Sequence, residues 1–509
     1  MHFEMFEERN SKILRISYPV IEKLPDQVII LSGILLLVLF TFPFIGSAYW
    51  TDEIFSVIIS RSIPGMLNVF LTSENNMAIY YFLLHAWMNL FGESEIATRS
   101  MSVLFSAFTI AVFHSALRRY LGKSETFIAD LLLVSNPLFL FYSIETRGYS
   151  LLLFFSTLAT ALLLSFYIRP RMMIAIMYAL AVSLAIYTHY FGILLPVVHA
   201  ACLLWKGVNK NQTKYFFYSS LLIILFISPL VLFHPGSFEQ INWLEKPDLK
   251  QLLGAIFRLF GGKIIFVINL LIFLLIGIKF FSGVNKANLQ QQIISLALIS
   301  IFLPVLSVFF FSILVKPAFL LRYFIWCVPA AVILTTEIIL GLRWGTLVLL
   351  LFFMLLQIGQ AYPDLKNKGS GYREAVAFVK AEARDGDAVI CYPFMKKYHF
   401  DYYLLKISRN QQPLGTIDFA DGPYNPGGGR KDPDPDMEIV KAINLKYTRI
   451  FIICRTSEAA KDSLQNRAWL PEITEAIRMN HPVTREMIFR QDSEEPIRLL
   501  ILERVSTNF

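Results

Sequence analysis

The chain has 509 residues, 55% of them hydrophobic, 15% aromatic and only 17% charged. A soluble protein of this size carries charge on about a quarter of its residues, and here the apolar residues come in long runs rather than at amphipathic spacing, so the class is a polytopic α-helical membrane protein. The net charge of +8 needs no nucleic acid to explain it, since much of it lies in short loops, where basic residues orient membrane helices.

Residues 1–26 are polar and of mixed charge, which reads as a cytoplasmic N-terminal segment rather than a cleavable signal. From 27 to 362 the chain reads as a transmembrane domain. Apolar runs at 27–48, 99–119, 125–143, 147–168, 171–188, 190–206, 214–234, 263–281, 291–315, 319–341 and 344–362 predict about eleven spans. A further run, Met77–Phe91, reaches only about 22 Å as a helix, short of a hydrocarbon core of about 30 Å. It carries Tyr80, Tyr81, His85, Trp87 and Asn89, a mixture suited to an interface. With that run laid on the surface, inside a first outer loop of 49–98, the basic clusters Arg118/Arg119/Lys123, Arg169/Arg171, Lys206/Lys210/Lys214, Lys279/Lys286 and Arg343 all fall on one side. The N-terminus is then cytoplasmic and the C-terminus extracytoplasmic. The loops holding Asp52, Glu145, His189, Phe238–Arg258 and Lys316/Arg322 all face outward.

Residues 363–509 form a soluble extracytoplasmic region large enough for one small α/β domain. Tyr372–Ala383 reads as a helix, Ala388–Tyr392 and Arg449–Cys454 as strands, Leu464–Met479 as mainly helical, and Arg485–Arg490 with Arg498–Glu503 as a hairpin. Pro423–Asp436 is a loop; its Gly427-Gly428-Gly429-Arg430 lacks the preceding strand and following helix of a phosphate cradle and reads as a flexible turn. Four cysteines show no metal-ligand spacing. Cys391 and Cys454 each end a strand; they read as two buried thiols, with a disulfide as the alternative if the strands are neighbours.

The candidate chemistry lies in the outer loops. Asp52 and Glu53 follow directly on the first span, where carboxylates are costly unless the site is wet or paired. A sugar hydroxyl is a poor nucleophile until a base takes its proton, and Asp52 is placed to be that base; the structural alternative is a helix N-cap. Glu53 stands evenly between a functional and a structural role. In the tight turn Ser143–Tyr149, Glu145, Arg147 and Tyr149 combine an acid, a forked cation and an aromatic, a set suited to a phosphate; a local ion pair closing the loop is the alternative. Lys316 and Arg322 flank another short outer loop and either clamp a lipid phosphate or snorkel to headgroups. His189 in Thr188-His189-Tyr190 reads first as an interfacial hydrogen-bonder. Glu239, Asn242, Trp243, Glu245 and Asp248 give only a weak sugar-site signal.

With these residues in place the chain resembles the GT-C fold, lipid-linked-sugar glycosyltransferases: the bacterial protein mannosyltransferase-like, aminoarabinose transferase-like and rhizobial core transferase-like group. The resemblance covers about 40–345. It rests on Trp50-Thr51-Asp52-Glu53, Tyr80 to Trp87, Phe91 to Glu95 with Arg99, Asn136-Pro137, Tyr142 to Tyr149, Thr188-His189-Tyr190 and Arg322-Tyr323. It implies a polyprenyl-phosphate-linked sugar donor, a glycan, lipid or protein acceptor, and transfer at the outer face of the cytoplasmic membrane. Asp52 takes the place of the family's first-loop acid, Glu145 and Arg147 that of its Glu-x-Arg turn. A divalent ion, if one is used, falls to Asp52 and Glu145. Where family members often read His-Pro-Pro or Lys-Pro-Pro, this chain has Glu74-Asn75-Asn76-Met77, which leaves Asn76 as a candidate in place of a cation. Competing readings are a lipid-linked sugar flippase, a ligase or polymerase using a pyrophosphate-linked donor, and a degenerate member whose outer domain only binds partners.

Overall fold

The computed structural model describes residues 18–72, 76–232, 244–281, 289–341, 345–384, 387–392, 397–407, 415–417, 447–455, 481–490, 492 and 496–504. Among the described residues each predicted apolar run contains a helix, although the 27–48 run is helical only to Thr41 and the 319–341 run opens with the 3-10 segment Leu321–Cys327. Six helices are long and apolar enough to cross a membrane: Glu95–Leu117, Tyr149–Ile168, Lys210–Leu230, Ile293–Leu314, Leu321–Gly341 and Thr346–Lys366. Asp26–Thr41, Met172–Thr188 and Tyr190–Trp205 are shorter apolar helices. Among the described residues, counting each bent helix pair as one span raises the number of candidate spans from six to nine.

The lipid-facing character is plain in Asp26–Thr41. Ile29, Gly33, Leu37 and Thr41 form its buried stripe, while Leu31, Leu35 and Leu39 stand 63–68% exposed. A helix apolar all round but buried on one side needs hydrocarbon on the other.

Two breaks shape the bundle. The run 125–143, expected as one span, bends by 61° between Lys123–Ser135 and Pro137–Ser143. Pro137 cannot donate to the preceding turn, and Asn136 Oδ1 accepts instead from the N–H groups of Leu138 and Phe139 at 3.0 and 3.3 Å. Leu249–Leu259 and Lys263–Leu274 meet at 80°, across Gly261 and Gly262, both at positive φ.

The 49–98 segment, expected as an outer loop, is more structured than expected. Beyond Ala78–Phe91 it contains Thr51–Ile59 and Ile63–Thr72, bent at 113° to one another. Glu95–Leu117 then runs from this loop to the far end of the bundle, where Arg118 pairs with Asp26. At about 1.5 Å per residue it separates Glu95 and Arg99 from that basic cluster by most of a membrane thickness.

The C-terminal region is a five-stranded sheet in the order β2-β1-β3-β5-β4, with β1 Asp387–Tyr392, β2 Gly415–Ile417, β3 Arg449–Arg455, β4 Val483–Phe489 and β5 Ile497–Glu503. β1 is parallel to β2 and β3; β4 and β5 form the predicted antiparallel hairpin. β1 and β3 are neighbours, yet Cys391 pairs in register with Ile453, which puts Cys454 on the opposite face, and the two are not joined in a disulfide. The expected helix 464–479 and the loop 423–436 lie outside the described residues.

The C-terminal region packs on the 49–98 segment. Ala48, Tyr49, Ile54 and Val57 share one apolar core with Tyr372, Val376, Phe400 and Tyr403. The Tyr49 N–H donates to Tyr403 Oη at 2.7 Å, and Ser370 Oγ donates to the Tyr49 carbonyl at 2.5 Å.

Candidate active site

Neighbouring side chains on a helix diverge by about 100°, so two adjacent carboxylates cannot share an environment. Asp52 and Glu53 occupy the first turn of Thr51–Ile59, which starts after Trp50, so Asp52 is not the N-cap. Glu53 is the residue that reaches back to the Trp50 N–H, at 3.4 Å.

Glu53 points inward, with no exposed side-chain surface. Its carboxylate accepts from Arg99 Nε at 2.8 Å, Arg99 Nη2 at 2.5 Å and the Thr146 N–H at 2.8 Å. Arg99 spends its other nitrogen on the carbonyls of Ile45 and Ser47. Burial pushes the Glu53 carboxyl up, but the Arg99 charge and hydrogen bonds outweigh it and hold the carboxyl below its usual range. The pair ties the end of the first span, the helix Thr51–Ile59 and the Glu145 turn together.

Asp52 points the other way. Its Oδ2 accepts from Arg322 Nη1 at 3.0 Å, with the two side chains 27% and 21% exposed; among the described residues its Oδ1 has no partner. Arg322 opens the 3-10 segment Leu321–Cys327, stays beside the Tyr323 ring, and keeps a buried Nε without a hydrogen bond. Arg147 Nη1 lies 3.5 Å from the Asp52 carbonyl, 3.3 Å from Ser56 Oγ and 3.4 Å from Tyr81 Oη. The acid of the first outer segment and the Glu-x-Arg turn thus meet in one cluster.

Glu145 pairs not with its neighbour Arg147 but with Lys368, Nζ to Oε2 at 3.2 Å, both side chains fully enclosed. The local ion pair weighed for this turn is therefore not its role. Oε1 of Glu145 has no partner. Burial raises the Glu145 carboxyl above its ordinary value, with Lys368 opposing.

His189 follows Met172–Thr188 and packs against the rings of Tyr323, Phe191 and Tyr149 at 4.8, 5.7 and 5.9 Å. Burial first, then the charges of Arg147 and Arg322, push its pKa down to about 3, so the ring is neutral. Since Nδ1 accepts the Phe191 N–H at 3.3 Å, the proton sits on Nε2, a buried donor with no partner. Asn76 Oδ1 accepts the Tyr190 N–H at 3.2 Å, which fixes its loop to this turn. Lys316 is half-buried beyond Leu289–Leu314 and is not a partner of Asp52, Glu145 or Arg322. Of the loop with the weak sugar signal, Trp243 lies outside the described residues and Asp248 caps Leu249–Leu259, its Oδ1 accepting the Gln251 N–H at 2.8 Å.

Asp52 and Glu145 are each matched by a cation of the chain, and among the described residues no three His, Cys, Asp or Glu side chains gather to hold a metal. This donor set does not fit a divalent ion. Asp52, Glu53 and Glu145 are set against Arg99, Arg147, Arg322 and Lys368, which leaves one positive charge in excess beside a neutral histidine. Two of these cations escaped the sequence reading as site residues. Arg99 was visible only as part of a motif, and Lys368 gave no signal, being one lysine in a charged linker.

The fold, a helical membrane bundle with structured loops and a small C-terminal sheet, is similar to that of solved GT-C membrane glycosyltransferases. The family model described as dolichyl-phosphate-mannose-protein mannosyltransferase matches residues 78–233. The chain is similar to ArnT from Cupriavidus metallidurans, in the apo state (TM-score 0.58) and bound to undecaprenyl phosphate (TM-score 0.60). Each is 13% identical, over 94% of this chain and 97% and 98% of theirs. It is also similar to the archaeal oligosaccharyltransferase AglB from Archaeoglobus fulgidus in complex with an inhibitory peptide and a dolichol-phosphate (TM-score 0.52, 10% identity, 91% of this chain and 72% of that one). No curated protein sequence matches the chain.

Proposed function

We propose that this protein transfers a sugar from a polyprenyl-phosphate carrier to an acceptor at the outer face of the cytoplasmic membrane, with Asp52 as the general base. The observation that carries the reading is the junction of Asp52 with Arg322 and Arg147 inside a cluster of net positive charge. Two proteins of similar fold are described with a polyprenyl-type phosphate bound, undecaprenyl phosphate in one and dolichol-phosphate in the other.

The chemistry follows from the charges. The acceptor hydroxyl attacks the anomeric carbon as Asp52 Oδ1 takes its proton, and the bond from that carbon to the carrier's phosphate oxygen breaks. The phosphate leaves ionised, so no general acid is required. Arg322 and Arg147 stabilise the charge that grows on it, and the neutral His189 Nε2–H is a further donor for an oxyanion. Sidedness follows from the positive-inside pattern: the site lies at one end of Glu95–Leu117 and the basic Arg118–Lys123 cluster at the other. The domains we propose are 1–26, 27–362 and 363–509.

The test is Asp52→Asn in proteoliposomes given a panel of polyprenyl-phosphate monosaccharides. Loss of a base predicts a fall in kcat of roughly 10²–10⁴-fold. The Asp52–Arg322 pair is partly exposed, so stability changes by no more than about 1 kcal/mol. Undiminished transfer by a well-folded Asp52→Asn variant excludes Asp52 as the base.

A further inference from the structure

The linker from the last long helix to the C-terminal sheet passes through the site, and Lys368 is the residue it delivers there. Its ammonium lies 3.2 Å from Glu145 Oε2 and 3.5 Å from the centroid of the Phe141 ring. The backbone around it is fixed from two directions. Gly369 has φ +94° and lies so close to the Ala48 carbonyl that a Cβ would fall 2.1 Å from its oxygen. From the other side Arg490, at the end of β4, donates to the carbonyls of Lys366, Lys368 and Ser370 at 3.3–3.4 Å. A guanidinium of the C-terminal domain thus straps the segment whose lysine completes the site.

Burying an ammonium with a carboxylate is poor economy for anchoring alone, because an apolar residue packs as well without desolvating two charges. The pair is not even fully satisfied, since Glu145 Oε1 is enclosed and has no partner among the described residues. The charges that act on Glu145 include Lys368 from the linker, Glu53 and Asp52 from Thr51–Ile59 and Arg322 from the 3-10 segment, and Glu145 acts in turn on the Tyr80 hydroxyl from Ala78–Phe91. Arg322 is engaged by Asp52, which leaves Lys368 as the counter-charge of Glu145.

We propose that Lys368 is a positioning residue: it holds Glu145 as a compensated anion, so that the site's guanidiniums remain directed at the lipid phosphate, and the site is complete only when the C-terminal domain is docked. This rests on the reading above that the cluster binds a polyprenyl phosphate.

Binding of undecaprenyl phosphate to the full-length protein in nanodiscs tests it. Lys368→Met is expected to weaken binding about tenfold, because Glu145 is left an unmatched anion beside the phosphate. Lys368→Arg and the double variant Lys368→Met/Glu145→Gln are expected to bind within about threefold of wild type. Arg490→Ala shifts binding in the same direction as Lys368→Met by about threefold, because the linker loosens without losing its charge. The proposal is overturned if Lys368→Met binds like wild type, or if the double variant is as weak as Lys368→Met. Should Lys368→Met not fold, Lys368→Arg and the double variant decide alone. Failure of wild type to bind undecaprenyl phosphate sinks the functional reading and this inference together; normal wild-type binding with an unshifted variant sinks this inference only.

Discussion

Glu53→Gln is the substitution whose consequence the structure fixes most tightly. The side chain keeps its volume, but one carboxylate oxygen becomes an NH2 that faces donors. Glu53 accepts four hydrogen bonds, two of them from Arg99, and neither side chain has any exposed surface. Removing one charge of such a pair strands the other, at a cost of about 3–5 kcal/mol. At about 2 °C per kcal/mol for a large chain, this corresponds to a fall of roughly 6–10 °C in the apparent melting temperature. The measurement is thermal unfolding of the purified protein at one fixed scan rate, because unfolding of a chain this large is under kinetic control. Asp52→Asn, one residue away, is the internal control and should stay within about 2 °C of wild type. Glu53→Gln/Arg99→Met, which removes both charges, should recover part of the loss. A Glu53→Gln protein as stable as Asp52→Asn would show that Arg99 is compensated elsewhere and that Glu53 is not the knot of the outer loop.

Two further perturbations have definite outcomes. His189 has its folded pKa depressed to about 3 from an ordinary 6.5. Between those values the unfolded chain binds a proton that the folded one does not. Its contribution is intact above pH 6.5 and is lost as pH falls through this window, by up to about 1.4 kcal/mol per pH unit. His189→Gln should therefore flatten the acid side of a stability–pH curve, and an unchanged slope would refute the neutral-histidine assignment. Gly369→Ala demands a left-handed alanine whose Cβ meets the Ala48 carbonyl at 2.1 Å, backbone against backbone, with no flexible side chain to yield. It is expected to unseat the linker and open Lys366 and Lys368 to limited trypsin digestion, sites that wild type protects; equal digestion of both proteins would contradict the packing.

Much of the protein was legible in its sequence because the governing physics is local. Hydropathy over about twenty residues defines a span, and each expected apolar run contains a helix, although the 27–48 run stops being helical at Thr41 and the 125–143 run bends where Asn136-Pro137 interrupts its hydrogen bonding. The expected pairing of Arg485–Arg490 with Arg498–Glu503 is seen as β4 antiparallel to β5. Asp52, Glu145 and Arg147 stood out because charges at the end of an apolar run require a reason to be there. What the sequence left undecided was partnership. Glu145 is followed two residues later by an arginine, yet its counter-ion is Lys368, 223 positions away; Asp52 meets Arg322 across 270 positions, and Glu53 meets Arg99 across 46. No periodicity encodes such pairs. They are set by which helices pack together and by where a left-handed glycine lets a linker pass, so residue types announced that a charged site exists and only the tertiary structure decided which cation answers which carboxylate.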